Sequence, residues 1–327
     1  MKKWIAVILV AAVTVAVVTV ATRAKRSHAD MKVIAIATLM SHPALDSVEV
    51  NLKKEIARHG LIEGVNLRYV LRNANGQVQL AASIASDLAS QEPDLIIAIT
   101  TPMAQAVAKV ARCPVVFAAV TDPVGAGLVK SLDKGEPSVT GTCDAWPYED
   151  QLKLIRQVTP ATKKLGVLYN PGEAASQYGI KEIRRLAPGL GFELVEGSVS
   201  STSEVYPVAQ NLASRVDALF LSSDNTVIGG VAAAVKVAVE HKMPLYVGDS
   251  GTVEKGGLAA VSVGYAQLGI ETGKLALRLI GGERGIPTVV ARGSDVYINK
   301  KAAQMMGVAI PEGTLQSSTK VYEEIKE

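Results

Sequence analysis

The chain has 327 residues, 48% of them hydrophobic but only 4% aromatic, and a formal net charge of +3. That length allows two domains of ordinary size, and a core of Ala, Val, Leu and Ile favours α/β layering over an aromatic-rich β-sandwich. The Lys and Arg residues are scattered, with no basic stripe interleaved with aromatics, so nucleic acid is not an expected partner.

The beginning of the chain stands apart. Lys2 and Lys3 precede an uncharged, mostly apolar run from Trp4 to Thr22. A basic start followed by an apolar stretch reads as an export signal. Ser27-His28-Ala29 supplies a small-x-small site, with cleavage before Asp30. The run is also close to the length that spans a bilayer. A retained anchor over residues 1–29 is therefore the competing reading, favoured by Arg23, Lys25 and Arg26 so near the cleavage site. On either reading the rest of the chain is exported and periplasmic. No Cys closes the apolar run, so a lipid-modified cysteine is not expected. Cys113 and Cys143 remain. An oxidising compartment permits a disulfide between them, and two separate small buried thiols is the other reading.

From Lys32 onward, strand-like and helix-like segments alternate. In chain order they are strand Val33–Ala37, helix Pro43–His59, strand Leu67–Leu71, helix Val78–Ser90, strand Leu95–Ile99, helix Pro102–Ala111, strand Pro114–Val120 and strand Val139–Thr142. A helix from about Pro147 to Val158 leads into strand Leu165–Tyr169, helix Glu173–Leu186, strand Phe192–Val195 and helix Glu204–Ser214. Strand Asp217–Leu221, helix Thr226–His241, strand Pro244–Val247, strand Gly257–Val263 and helix Ala266–Leu279 complete the series. Such alternation predicts parallel sheets with crossover helices.

The halves share an order: strand, polar cluster, helix, x-Pro, strand, polar-Asp-small. Asp94–Ile99 with Thr100-Thr101 and Thr121-Asp122-Pro123 matches Asp217–Leu221 with Ser222-Ser223-Asp224 and Gly248-Asp249-Ser250. Two similar doubly wound lobes joined by a hinge are expected. Residues 30–145 and about 265–290 form the first lobe, and 146–264 and about 291–327 the second.

In open parallel sheets, ligands bind beyond the carboxyl ends of the strands. The polar residues collected there are Ser41, His42, Thr100, Thr101, Thr121, Asp122, Asn170, Ser223, Asp224, Asn225 and Asp249. Asp144 and Trp146, beside the first crossing between lobes, join them as candidate ligand-binding residues. Helix N-termini at these ends suit a carboxylate. Asp122, Asp224 and Asp249 suit an ammonium group, and hydroxyls of Thr100, Thr101 and Ser223 complete an anion site. For any one cluster, helix capping or a turn is the competing reading, strongest at Asp122-Pro123 and Asn170-Pro171-Gly172. His42 faces the cleft or an exposed turn, and Trp146 stacks on a ligand or packs the hinge. At Ser223-Asp224-Asn225 there are three acceptors where a cap needs one, so Asp224 is expected to contact the ligand.

The stretches "SHPALD", "RNANGQ", "DLIIAITTPMAQA", "VFAAVTDPVGAGLV", "VTGTCD", "GVLYNPGEAAS", "DALFLSSDNTV" and "INKKAAQMMGV" resemble the ABC-transporter substrate-binding protein family of the tryptophan/tyrosine-transport type. The resemblance covers nearly all of the chain after Met31. It implies a type I periplasmic-binding architecture and a small ligand, with aromatic or other apolar amino acids first in line. Two departures bear on ligand identity: Ser41 precedes His-Pro where the family often has Glu, and "CDAWPYEDQ" differs from the usual run.

The expected function is capture of a small solute in the inter-lobe cleft by hinge closure, for delivery to an ABC importer. Permease and ATPase would be separate chains, because this one lacks multiple spans and a G-x-x-x-x-G-K-[ST] loop. The protein itself is expected to be monomeric. No G-x-S-x-G, metal-spaced His pair or G-x-G-x-x-G after a strand is present, so no enzyme, metal or cofactor is expected. A ligand-sensing receptor module that signals to a membrane partner is the alternative.

Overall fold

The computed structural model describes residues 31–326. The segment read as a signal or anchor, residues 1–29, lies outside the described residues.

The first sheet is built from β1 (Lys32–Thr38), β2 (Leu67–Asn73), β3 (Leu95–Ile99), β4 (Val115–Val120) and β5 (Val139–Cys143). Helices α1 (Pro43–Arg58), α2 (Ala81–Ser90) and α3 (Thr101–Val110) connect the first four. β3, Leu-Ile-Ile-Ala-Ile, is buried at every position. A parallel strand covered by helices on both faces needs such an unbroken apolar run. α1 begins with Pro43, whose fixed φ suits a first helical position, and stops at His59, before Gly60 at φ +89°. The left-handed conformation there ends the helix at little steric cost.

The second sheet carries β6 (Lys164–Tyr169), β7 (Glu193–Ser198), β8 (Ala218–Leu221), β9 (Leu245–Tyr246) and β10 (Ala259–Ser262). Its helices are α4 (Tyr148–Val158), α5 (Ala174–Leu186), α6 (Val205–Ala213), α7 (Asn225–Gly229), α8 (Val231–Glu240) and α9 (Ser250–Glu254). Strand orders β2-β1-β3-β4-β5 and β7-β6-β8-β9-β10 are the same doubly wound arrangement repeated. In each, the order reverses beside the first strand, which places a crevice at the ends of β1 and β3 and of β6 and β8.

The chain crosses between sheets three times. It leaves after β5 through Asp144–Pro147 and returns after β10 through Val263 and Gly264 to α10 (Tyr265–Ile280). α10 lies against α1, and the approach is close. A Cβ on Gly269 would stand 2.5 Å from the Val48 carbonyl oxygen, and one on Gly273 2.9 Å from that of Leu52. The short β11 (Val289–Val290) then pairs with β5 at the edge of the first sheet. Finally β12 (Asp295–Asn299) joins the second sheet antiparallel to β10. After α11 (Lys300–Met306) and α12 (Glu312–Ser317), β13 (Lys320–Tyr322) pairs with β12.

Several elements depart from the sequence reading. The single helix expected over 226–241 is two, α7 and α8, broken at Gly229-Gly230, where a Cβ on Gly230 would come within 2.7 Å of the Val205 side chain. The Ala/Val-rich pattern hides this break because it continues on both sides. α9, and every element from β11 onward, have no counterpart in that reading.

Both thiols are free. Cys113 precedes the first residue of β4, whereas Cys143 pairs with Val120 at the other end of that strand. Adjacent parallel strands thus hold them at opposite ends, well beyond the Cα separation a disulfide requires.

Candidate functional site

A cavity lies between the lobes at the carboxyl ends of both sheets. Its volume is about 50 Å³, a narrow slot.

Of the residues singled out in the sequence, His42, Thr100, Thr101, Thr121, Asp144, Trp146, Ser223, Asp224, Asn225 and Asp249 line the slot. Ser41, Asp122 and Asn170 do not. Each is held locally. Ser41 Oγ donates to Asp46 Oδ2 at 2.8 Å, Asp122 Oδ1 accepts from Gly125 N–H at 2.9 Å, and Asn170 Oδ1 accepts from Gly172 N–H at 2.8 Å. These are turn-forming bonds to nearby residues, the competing role for Asp and Asn at such positions.

The rest of the wall is apolar: Met40, Ala44, Leu45, Ala119, Ala175 and Ile228, with Tyr265 at one end. Sequence reasoning missed all of these. The aliphatic residues look like core, which is why nothing marks them. Tyr265 had a signal, since it opens a helix directly behind the end of β10, where the other polar candidates were sought.

The two ends of the slot differ in how their helices are capped. At α7, protein carboxylates take up the first-turn amides. Asp224 Oδ1 accepts from Val227 N–H at 2.9 Å, and Glu173 accepts from Asn225 N–H at 3.1 Å and Thr226 N–H at 2.9 Å. Asp224 Oδ2 also accepts from Ser176 Oγ at 2.6 Å and from Asn170 N–H. The second oxygen of Asp224 is therefore used inside the second lobe, tying α5 and the β6 end to α7. Burial, reinforced by the nearby Glu173 carboxylate, pushes the Asp224 carboxyl up to about 6.

α3 is the opposite case. It has no side-chain cap, and Thr100 Oγ1 is buried without a hydrogen-bond partner. Thr100 sits at φ 88°, ψ 155°, a region that a β-branched residue rarely enters. Ala119, on the facing end of β4, is also at positive φ, 51°. Strain of this kind persists where surrounding structure imposes it, and it clusters at ligand sites. A helix N-terminus without a side-chain cap, with an unpartnered hydroxyl beside it, is suited to an anion.

Two polar chains join the lobes across the slot. In one, Ser223 Oγ of the second lobe meets Thr121 Oγ1 of the first at 2.8 Å. Thr121 donates its proton to Asp144 Oδ1 at 3.1 Å, so Ser223 is the donor to Thr121. Tyr265 OH donates to Asp144 Oδ2 at 3.0 Å and accepts from Trp146 Nε1–H at 3.2 Å. Trp146 thus packs the crossing and walls the slot at once. In the other chain, Thr252 donates to Asp249 Oδ2 at 2.5 Å, and His42 Nε2 lies 3.2 Å from Thr252 Oγ1. His42 Nδ1 accepts from Ala44 N–H, which assigns the neutral tautomer with its proton on Nε2. Burial, with Lys255 adding to it against the pull of Asp249, lowers the His42 pKa.

The model of ABC transporter substrate binding proteins matches residues 33–322. The chain belongs to that family. The substrate-binding protein is 34% identical over 279 residues to a tyrosine-binding protein of Clostridioides difficile, covering 84% of this chain and 81% of that one. It superposes on an ABC domain from Streptococcus pneumonia in complex with L-Trp with a TM-score of 0.85 at 33% identity, over 89% of this chain and 99% of that one. On the ligand-free, open structure of a substrate binding protein with adhesive properties from Clostridium difficile, also 33% identical, the TM-score is 0.68 over 90% of this chain and all of the other. At equal identity and coverage, the lower score comes with the open arrangement. The substrate-binding protein therefore has the closed relation of lobes, in agreement with the polar chains that span its slot.

Proposed function

We propose that this protein captures an aromatic L-amino acid outside the cytoplasm and hands it to a membrane permease driven by a separate ATPase. The observation that carries the reading is the likeness of its closed form to the L-Trp complex. The slot supports it independently: narrow, with aliphatic walls, and with an uncapped helix end at Thr100 and Thr101 for a carboxylate. Apolar walls with a few placed polar groups suit a small organic ligand.

Closure follows from differential contacts. A ligand touching both lobes binds the closed form more tightly than the open one and shifts the population toward it. A thermal-shift and calorimetric screen of the soluble part tests the reading. Tryptophan, tyrosine or phenylalanine at a hundredfold excess over Kd should stabilise the native state by roughly 3 kcal/mol, while leucine, serine and hexoses leave it unchanged. Binding of a sugar, with no response to any amino acid, would overturn it.

A further inference from the structure

Three carboxylates line the slot, and two are engaged by donors within the second lobe. Asp224 receives Val227 N–H, Ser176 Oγ–H and Asn170 N–H. Asp249 receives Thr252 N–H at 2.9 Å on one oxygen and Thr252 Oγ–H at 2.5 Å on the other, and His42 stands 3.8 Å away.

Asp144 caps no helix. It sits at the end of β5, on the first crossing, and is 4% exposed. Each of its oxygens takes one neutral hydroxyl, from Thr121 and from Tyr265. A carboxylate has about four acceptor positions, so these two hydroxyls do not fill them, and Asp144 lines the slot. Among the described residues no ion pair includes Asp144, although the other two buried slot carboxylates each have several donors or a histidine beside them. A buried carboxylate without a cation is costly. Burial accordingly pushes its pKa up, against the Tyr265 and Thr121 hydroxyls and smaller contributions from its own amide and Trp146 that favour the charged form.

We infer that Asp144 is the counter-ion for the ligand's α-ammonium group, and so the residue by which the protein selects amino acids over the corresponding deaminated acids. The inference rests on the amino-acid reading above and adds the atom that enforces it. It gives the ligand a polarity. The carboxylate goes to the free end of α3 beside Thr100, the ammonium to Asp144, and the side chain between the aliphatic walls. It also couples recognition to closure. The hydroxyls that hold Asp144 come from Thr121, which Ser223 of the other lobe engages, and from Tyr265, which opens the second crossing.

The test compares L-tryptophan with indole-3-propionate, the same molecule without its amine, by titration calorimetry on wild type, Asp144→Asn and Asp249→Asn. Wild type should prefer tryptophan by a hundredfold or more. In Asp144→Asn that preference should shrink at least tenfold, mainly through weaker tryptophan binding. In Asp249→Asn both ligands should weaken together. A preference unchanged in Asp144→Asn, or an equal loss for both ligands, would overturn the inference. Should Asp144→Asn fold poorly, the smaller Asp144→Ser takes its place: its preference for tryptophan should likewise shrink at least tenfold, and an unchanged preference would overturn the assignment. Should tryptophan not bind wild type at all, the amino-acid side chain proposed above fails by itself. The same comparison then runs with whichever amino acid binds and its deaminated analogue.

Discussion

His42 illustrates how one side chain can make closure sensitive to acid. In the closed form its Nδ1 accepts the Ala44 amide proton and its Nε2 reaches Thr252 of the other lobe. A proton added at Nδ1 would face an N–H and break the first contact. Asp249, Asp46 and Glu254 pull the charged form back and Lys255 opposes it, but burial outweighs them and the pKa is lowered in this closed form. Were opening to expose the imidazole to solvent, its pKa would return toward the ordinary value of about 6.5. Above that value His42 is neutral in both forms and closure carries no penalty. As pH falls below it, the open form gains a proton that the closed form refuses, so ligand affinity should drop. His42→Asn keeps an N-cap acceptor and should flatten this part of the profile. Titrations between about pH 5 and 8 on both proteins measure the difference, and parallel profiles would remove His42 from the effect.

At the scale of elements, α7 is held by two carboxylates that belong to the protein's own framework. Asp224→Ala would strip a cap and leave the buried Val227 N–H and Ser176 hydroxyl donors without this partner, while the Asn170 N–H keeps its bond to Ser176 Oγ. Unsatisfied buried donors and lost caps each cost on the order of 1–2 kcal/mol. Ligand-free stability should fall by about 2 kcal/mol or more in urea unfolding. A carboxylate serving only as a ligand contact would show no such loss.

The same elements show what the sequence could convey. Strand ends were legible because an apolar run breaks into Thr, Ser, Asp and Asn at one place, and the repeated order of strand, cluster and helix revealed the doubly wound class. Which of those polar residues face the slot was not legible. Asp122 and Asn170 turn back to amides within three residues, and Asp144 does not, yet nothing in composition separates them. The aliphatic wall at Met40, Leu45 and Ile228 was hidden for the opposite reason, since its residue types are those of the core.

For the molecule as a whole, closure depends on backbone approach as much as on polar contacts. Gly251, in α9 of the second lobe, sits against the start of α1 in the first. A Cβ there would lie 2.6 Å from His42 Cε1 and 2.8 Å from the Ala44 nitrogen. Gly251→Ala should therefore act in opposite directions on two measurements. Within a helix, Ala is favoured over Gly by about 0.5–1 kcal/mol, so ligand-free stability should hold or rise. The clash exists only in the closed form, and overpacking of this kind costs about 1–3 kcal/mol, so affinity should fall about tenfold. A variant that binds as tightly as wild type would show that the lobes close without this contact.

The three crossings carry a consequence for how the chain is made. β11 completes the edge of the first sheet, and β12 and β13 complete the second, yet all three come from residues after 288. Neither lobe can be finished from its earlier residues alone. Domains generally fold as units as the chain emerges, but here an emerging chain reaches its final stretch with both sheets still missing strands. β10 waits for its antiparallel neighbour, and α10 must already have found α1 across the hinge. Such interleaving postpones the native state to the end of synthesis. Were the chain threaded through a membrane before folding, that delay would keep it in a form a translocation channel accepts.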